Sequence, residues 1–429
     1  MELALVVILF LCLLLMGMPV LLAMGLPSLL YVIIKGLPLS IVPYTMIQSI
    51  DNFPILAVPL FILLGKFITE FGGTVRIFNF ARLLLRDVRG YSAYVTVIAN
   101  LIFAGISGAA LAEIGGLGEL EIKAMEDEGY RRGFGAALTA SAAIVGPIFP
   151  PSIPLVVYAM VAEVSSVKCL LAGALPGIVI STTLLLYAMY ITPRRLVIKA
   201  RVDNGGASRE SLVRSFLEAL PTLIAVPLIL VGLLGGVFSP TEAGAAGVFY
   251  SLVIGVIHRR LSWTRIFRAL KETLISVSSV LIIVSMGSFL TRVLSLERVP
   301  ELVSGALLGL SRNPIVILIV INIILLIIGM FMEGLSALVL LVPIFLPVTN
   351  AIGVDPIHLG IIVVYNIMIG ILTPPFGLGL FMVCEVGKVS LEDVLRDLFP
   401  MFVPLLVALV VLTFVPQFSL WIPSLLVQK

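Results

Sequence analysis

The chain has 429 residues, of which 60% are hydrophobic and only 12% charged, with a net charge of +3. Soluble domains carry about 25% charged residues; with a mean hydropathy of +1.21, a water-soluble fold of this length could not hide its apolar surface. The composition excludes a soluble enzyme, and the small net charge gives no nucleic-acid surface. It predicts an all-α polytopic membrane protein, because lipid admits only helices and closed barrels and the period-2 alternation of a barrel is absent.

Residues 2–36 form an apolar run whose only early charge is Glu2. It is longer than the core of a cleaved signal peptide and lacks the basic flank, so one or two retained membrane helices are expected. Further apolar segments lie near 53–71, 91–106, 133–149, 152–162, 169–192, 217–238, 243–257, 273–291, 313–330, 335–349, 357–372, 376–385 and 398–422. Basic residues gather in three places: Arg76, Arg82, Arg86 and Arg89; then Arg194, Arg195, Lys199, Arg201, Arg209 and Arg214; then His258, Arg259, Arg260, Arg265, Arg268 and Lys271. The positive-inside rule puts all three in the cytoplasm. Asp51, Asn52, Trp263 and Trp421 read as features of the membrane interface, and the charged stretch 119–132 as a solvated face.

Cys12, Cys169 and Cys384 are isolated within apolar runs and read as small core residues, and neither His258 nor His358 has a ligand-spaced partner. No bound metal or cofactor is expected beyond a coupling ion. No phosphate-binding GxxxxGK[ST] occurs, so energy must come from a gradient or another subunit. The chain also lacks HExxH, GxSxG and any His near a nucleophile, which argues against an enzyme.

Between the first basic cluster and the charged stretch ELEIKAMEDEGYRR (119–132) the chain is too short for two crossings. Each arm has roughly 14–16 residues against about 20 needed. The economical solution is a re-entrant hairpin over 91–128 with its tip at Gly105 to Gly118. Such a tip survives at membrane depth only if buried in protein or lining a cavity. Residues 313–350 repeat the pattern, with a tip near Gly329–Gly334. Glu113 and Glu333 stand near the two tips, either capping a helix or bracing ligands there, or coordinating an ion directly.

Each hairpin is followed by a Pro-Pro break, GPIFPPS (146–152) and GILTPPF (370–376). Proline removes a helical hydrogen bond and frees the carbonyl four residues earlier. The expected free carbonyls are those of Ala143, Gly146 and Pro147, and of Gly370 and Ile371. Unpaired carbonyls at membrane depth are costly, and a dehydrated Na⁺ would satisfy them. Ser107, Ser141, Ser152, Asn366 and Thr373 could add side-chain oxygens.

Aligning Pro150–Pro151 with Pro374–Pro375 also aligns Gly146 with Gly370. The reading is two inverted-topology repeats, the common plan of secondary transporters. The first spans 1–192 (hairpin 91–128, broken helix 133–162). A cytoplasmic connector at 193–216 contains DNGGAS, and the second repeat spans 217–429 (hairpin 313–350, broken helix 357–385). Two halves with broken helices fit alternating access better than a passive channel.

The stretches FAGISGAALAEIGGLGELEIKAM (103–125), ALTASAAIVGPIFPPSIPLVVY (137–158) and GVDPIHLGIIVVYNIMIGILTPPFGLGLFM (353–382) resemble the large membrane subunit of the tripartite ATP-independent periplasmic (TRAP) transporters, of the DctM/SiaM type. Two departures are Ala110, where many relatives have Ser, and Glu113, where Asp is usual. The resemblance implies Na⁺-coupled import of a small organic anion across the bacterial inner membrane by an elevator mechanism. It implies two separate partners, a small four-helix membrane subunit and a periplasmic substrate-binding protein. Carried over by position, one Na⁺ site would involve Ser107, Gly108, Ser141, Gly146 and Pro147. A second would involve Gly334, Asn366, Gly370, Thr373 and Pro374, with substrate near Glu113, Pro150, Pro151, Ser152 and Pro375. The competing reading is a stand-alone ion-coupled carboxylate symporter of related architecture.

Overall fold

A computed structural model describes residues 2–85, 87, 88, 90–195 and 209–425. Arg86 and Arg89 of the first basic cluster, and Lys199, Arg201 and the DNGGAS of the connector, lie outside them. The described residues are helical throughout, with no strand. In order they form α1 (Glu2–Leu15), α2 (Val20–Ile34), α3 (Ile41–Ile50), a 3₁₀ turn (Phe53–Leu56), α4 (Ala57–Glu70), α5 (Gly73–Leu85), α6 (Tyr91–Ser107), α7 (Ala110–Glu128), α8 (Arg132–Ala143), α9 (Ile153–Val161), α10 (Ser166–Ala172) and α11 (Ala174–Arg195). After the connector come α12 (Arg209–Leu234), α13 (Pro240–Ile257), α14 (Trp263–Leu296), α15 (Val299–Leu310), α16 (Pro314–Gly329), α17 (Gly334–Ala351), α18 (Pro356–Gly370), α19 (Leu378–Gly387), α20 (Leu391–Phe414) and α21 (Gln417–Ser424).

Among the described residues, 7 helical spans are long and apolar enough to cross a membrane, from Phe53–Glu70 to Leu391–Phe414. Their outer faces carry large apolar side chains that are open to the surroundings, such as Phe249 and Val231. That is the pattern of helices solvated by lipid. Trp263 and Trp421 are strongly exposed at or near helix ends, in keeping with interfacial rings. The run at 2–36 is two helices of 14 and 15 residues packed on each other. Cys12 is exposed on the first of them, so it is not a core residue; Cys169 is buried.

Both hairpins form. The first is α6 and α7 joined through Gly108 and Ala109, and the second is α16 and α17 joined through 330–333. The first tip is much tighter than the expected Gly105–Gly118. Gly115, Gly116 and Gly118 lie within α7 and serve packing instead. A Cβ at Gly115 would meet Met382 of α19 at 3.0 Å, and one at Gly118 would meet Val386 at 3.2 Å. Gly108 does supply the turn, with φ +62°, a conformation that favours glycine. The arms α6 and α16 have 17 and 16 residues, about 25 Å of helix against an apolar core of about 30 Å.

Both breaks are real interruptions: α8 stops at Ala143 and α9 starts at Ile153, while α18 stops at Gly370 and α19 starts at Leu378. The Pro150–Pro151 and Pro374–Pro375 peptide bonds are cis. The connector is shorter than expected, since α11 runs to Arg195 and α12 begins at Arg209. Sequence reading also passed over α3, α5 and α15.

The stretch 119–132 is solvated on one face, where Glu119, Lys123 and Asp127 are exposed, and enclosed on the other. Glu121 is fully buried, Arg131 donates to both oxygens of Asp397 at 2.5 and 2.6 Å, and Arg132 pairs with Glu126 at 2.8 Å. The physical reason is that α7 and α8 are enclosed by α6, α19 and α20, so polar side chains on their inner faces find partners there. The Asp397 side chain is 1% exposed and that of Arg131 40%. Arg131→Ala should therefore remove a two-pronged partner from a buried carboxylate, at a cost of about 2 kcal/mol. The exposed Arg214–Glu218 pair should give a loss within about 0.5 kcal/mol for Arg214→Ala. Unfolding of the two variants in detergent, followed by circular dichroism, checks the contrast.

Candidate functional site

The two hairpin tips converge on the two breaks. At the first, the Gly108 carbonyl accepts the Ile153 N–H at 3.3 Å, and a Cβ on Gly108 would collide with the Pro151 carbonyl. Ser107 donates its hydroxyl to Glu113 Oε1 at 2.7 Å. Gly146 sits against the same carboxyl group, where an added Cβ would come within 2.8 Å of Glu113 Cδ. Glu113 Oε2 is buried without a hydrogen-bond partner. The residue does not cap α7; it ties the end of α6 to the first turn of α7 and faces the break.

At the second tip the roles differ. Glu333 is the N-cap of α17 and accepts from the Leu335 and Ser336 N–H groups at 3.1 and 3.2 Å and from the Ser336 hydroxyl at 3.3 Å. Gly329 and Gly370 meet backbone to backbone; a Cβ on Gly370 would lie 2.5–2.7 Å from the main chain of Gly329. Gly334 packs on Met368 and Ile367, and Phe331 on Phe376.

Most of the carbonyls expected to be free have found donors. Ala143 O accepts from Gly146 N, Gly370 O from Thr373 N, and Ile371 O from Gly379 N and Leu380 N. Pro147 O accepts from the Ser152 hydroxyl. Among the described residues only Gly146 O of the five meets no donor. Turn bonds formed where the helix stops replace those the prolines remove. Each such oxygen still keeps a second lone pair.

The remaining residues of the expected ion sites separate. Ser141 donates to Ala137 O within α8 and contacts Met401 Sδ of α20 at 3.6 Å, so its hydroxyl points away from the tip. Asn366 donates to Ile362 O and to Asn322 Oδ1 at 2.5 Å, while its own Oδ1 is buried and unpartnered. Thr373 donates to Ile369 O at 2.9 Å, and Pro374 follows it into the turn.

A cavity of about 570 Å³ lies between the tips. Ser107, Ala110, Pro147 and Ile153 line it from the first half, and Glu333, Gly334, Ile371 and Leu378 from the second. Its far wall is α4 and α14, with Lys66, Glu70, Glu272 and Ser276. Lys66 pairs with Glu272 at 2.8 Å, and Arg268 with Glu70 at 3.7 Å. Of the residues expected near substrate, Glu113, Pro150, Pro151 and Ser152 are buried just behind the wall, and Pro375 is exposed on the second break. Sequence reading missed Lys66 and Glu272. Lys66 carried a signal, as a charge inside the apolar run of α4, and such residues mark function by default; Glu272 was masked by Arg265, Arg268 and Lys271 beside it in α14.

Two helical hairpins and two broken helices close on one cavity within a bundle of membrane-length helices, which is the class of a polytopic membrane protein with an internal binding cavity. The family model described as "Tripartite ATP-independent periplasmic transporter, DctM component" matches residues 7–418, and the chain belongs to that family. It is 39% identical over 381 residues to the sialic acid TRAP transporter large permease protein SiaM of Vibrio cholerae, covering 89% of this chain and 88% of that protein. It is 34% identical to the C4-dicarboxylate TRAP transporter large permease protein DctM of Pseudomonas aeruginosa, covering 88% of each. Among solved structures, the Alcanivorax borkumensis YdaH transporter shares the fold, with a TM-score of 0.61 at 17% identity over 88% of this chain and 87% of that one.

Gly146 and Gly370 stand where the breaks touch the tips, so both contacts should reject a methyl group. Gly146→Ala and Gly370→Ala should each cost about 1–3 kcal/mol through overpacking. Gly309→Ala has open space around it and should be neutral or slightly stabilising. Thermal unfolding of the three variants in the same detergent distinguishes these outcomes.

Proposed function

We propose that this chain is the large membrane subunit of a Na⁺-coupled transporter that imports a small organic carboxylate across the bacterial inner membrane. A separate periplasmic protein delivers the substrate, and a small four-helix subunit supports the assembly. The observation that carries the reading is the cavity enclosed by both tips and both breaks. Its volume suits a ligand of metabolite size. The relatives' names, sialic acid and C4-dicarboxylate, both describe carboxylates.

The chemistry of the cavity supports an anion. Helix α7 begins at Ala109 without a side-chain cap, and Ala109–Ala112 line the cavity. The N–H groups of a helix's first turn lack intrahelical partners and attract negative charge. The equivalent groups of α17 are taken by Glu333. Lys66 is the cationic side chain in the wall. Substrate would place its carboxylate toward the first tip and its remainder against Met368, Ile371 and Met382.

Na⁺ would sit behind each tip. At the first, the unpartnered Glu113 Oε2 and Gly146 O are available. At the second, the second lone pairs of the Gly370 and Ile371 carbonyls and the Thr373 hydroxyl are available. A cation at either place would hold the tip against its break and complete the substrate seat. Lys66 and Glu70 lie toward the end of α4 that leads to Arg76 of α5, and Glu272 toward the end of α14 that carries Arg265 and Arg268, the end assigned to the cytoplasm. The cavity therefore corresponds to the release state, and import would proceed by sliding the hairpins and broken helices past the remaining helices.

Reconstitution with the two partners in proteoliposomes tests this. Uptake of labelled sialic acid or C4-dicarboxylates should require an inward Na⁺ gradient and the binding protein; equal uptake with and without the gradient would reject ion coupling. Thr373→Ala should raise the Na⁺ concentration for half-maximal uptake about tenfold, in line with loss of a hydrogen-bonding or ligating oxygen next to a charge.

A further inference from the structure

Glu121 lies eight residues beyond Glu113 on α7, about 12 Å farther from the tip, and plays no part in the site described above. It is 0% exposed, as are Asn100 of α6 and Thr139 of α8 on the two helices packed against it. Asn100 donates its amide to Glu121 Oε1 at 2.8 Å and to Thr96 O at 2.8 Å. Thr139 of α8 stands beside the Glu121 carboxyl from the opposite helix, beyond hydrogen-bonding distance. Three oxygens of this group have no hydrogen-bond partner: Glu121 Oε2, Asn100 Oδ1 and Thr139 Oγ1. Buried polar atoms are nearly always partnered, and such exceptions call for an explanation.

No basic residue supplies one. Helix α6 contains no charged residue, and the single charge of α8 is Arg132 in its first turn, which is engaged with Glu126 and Gly387 O. On α7 itself, Glu119 and Lys123 point outward, and the other buried charged residue, Glu113, is of like sign. A carboxylate, an amide carbonyl and a hydroxyl with no cation beside them form an all-oxygen donor set, and hard cations take such oxygens.

We propose that Glu121, Asn100 and Thr139 form a separate alkali-cation site, holding Na⁺ in the body of the first hairpin rather than at its tip. The ion neutralises Glu121 and gives the three unpartnered oxygens a common ligand. It clamps α6, α7 and α8 together, so that hairpin and first broken helix move as one body. Bound Na⁺ here adds to the ions behind the tips. The choice of Na⁺ rests on the coupling ion proposed above.

Equilibrium binding of ²²Na⁺ to the full chain in lipid nanodiscs tests the site. Glu121→Gln should bind one Na⁺ fewer than the wild type, and Glu121→Asp should keep it at about tenfold weaker affinity. Thr373→Ala should weaken a different ion, with the two effects additive. A folded Glu121→Gln that binds as many ions as the wild type, with the same affinity, overturns the proposal and leaves Glu121 a protonated structural acid. Should Glu121→Gln not fold, Asn100→Ala and Thr139→Val take its place. Na⁺ affinity lowered about tenfold in either supports the site; wild-type affinity in both overturns it. A wild type that binds no Na⁺ removes the coupling-ion reading together with this one.

Discussion

A carboxyl group buried away from water must be neutralised, by a proton or by a cation beside it, and this chain buries both Glu113 and Glu121. The first hairpin is organised around that constraint. Glu113 takes one donor from Ser107 and Glu121 one from Asn100, and each retains an oxygen with none. Helices that close so tightly on incompletely satisfied carboxyl groups hold them either as protonated acids or with an ion.

The second hairpin answers the same demand differently. Glu333 spends its charge on the N-terminus of its own helix, where it meets two backbone N–H groups and a hydroxyl. Its tip is then joined to the break by close approach of Gly329 and Gly370, a contact made of dispersion and shape alone. Two halves that read alike in sequence are thus chemically unequal. One tip has a carboxylate facing its break and an uncapped helix start facing the cavity. The other has its carboxylate consumed and its helix start closed. A cavity between two such tips is polarised, and a carboxylate ligand has one favourable direction in it.

The sequence disclosed the hairpins and breaks because they rest on local rules: proline ends helices, and short apolar arms flanked by charge do not span. What it hid depends on which neighbour a residue faces. Gly115 and Gly118 read as turn residues, but α19 lies across them, so they permit packing. The carbonyls of Gly370 and Ile371 read as vacant, but the chain curls back to donate Thr373, Gly379 and Leu380 N–H groups to them. Glu121 read as one charge among eight in a solvated stretch, since nothing local says which face of α7 is enclosed. Lys66 was visible as a charge inside an apolar run and Glu272 only as part of a charged cluster, and only the fold brings two helices more than 200 residues apart into one wall.

The distribution of ion pairs bears on how such a molecule could move. Lys35–Glu297, Lys66–Glu272 and Arg268–Glu70 join helices among α1–α5 and α12–α15. Arg131–Asp397 and Arg132–Glu126 join helices among α6–α11 and α16–α21. None of these pairs crosses between the two groups. The contacts that do cross include glycines packed on apolar neighbours, Gly65 against Ile106 and Ser107, Gly105 against Val226, and Gly287 against Val339, with hydrogen bonds from Thr291 to Val339 O and from Arg82 to the Tyr91 hydroxyl. Displacing one group along the other, as the proposed import step would, breaks these few hydrogen bonds and leaves the ion pairs above intact.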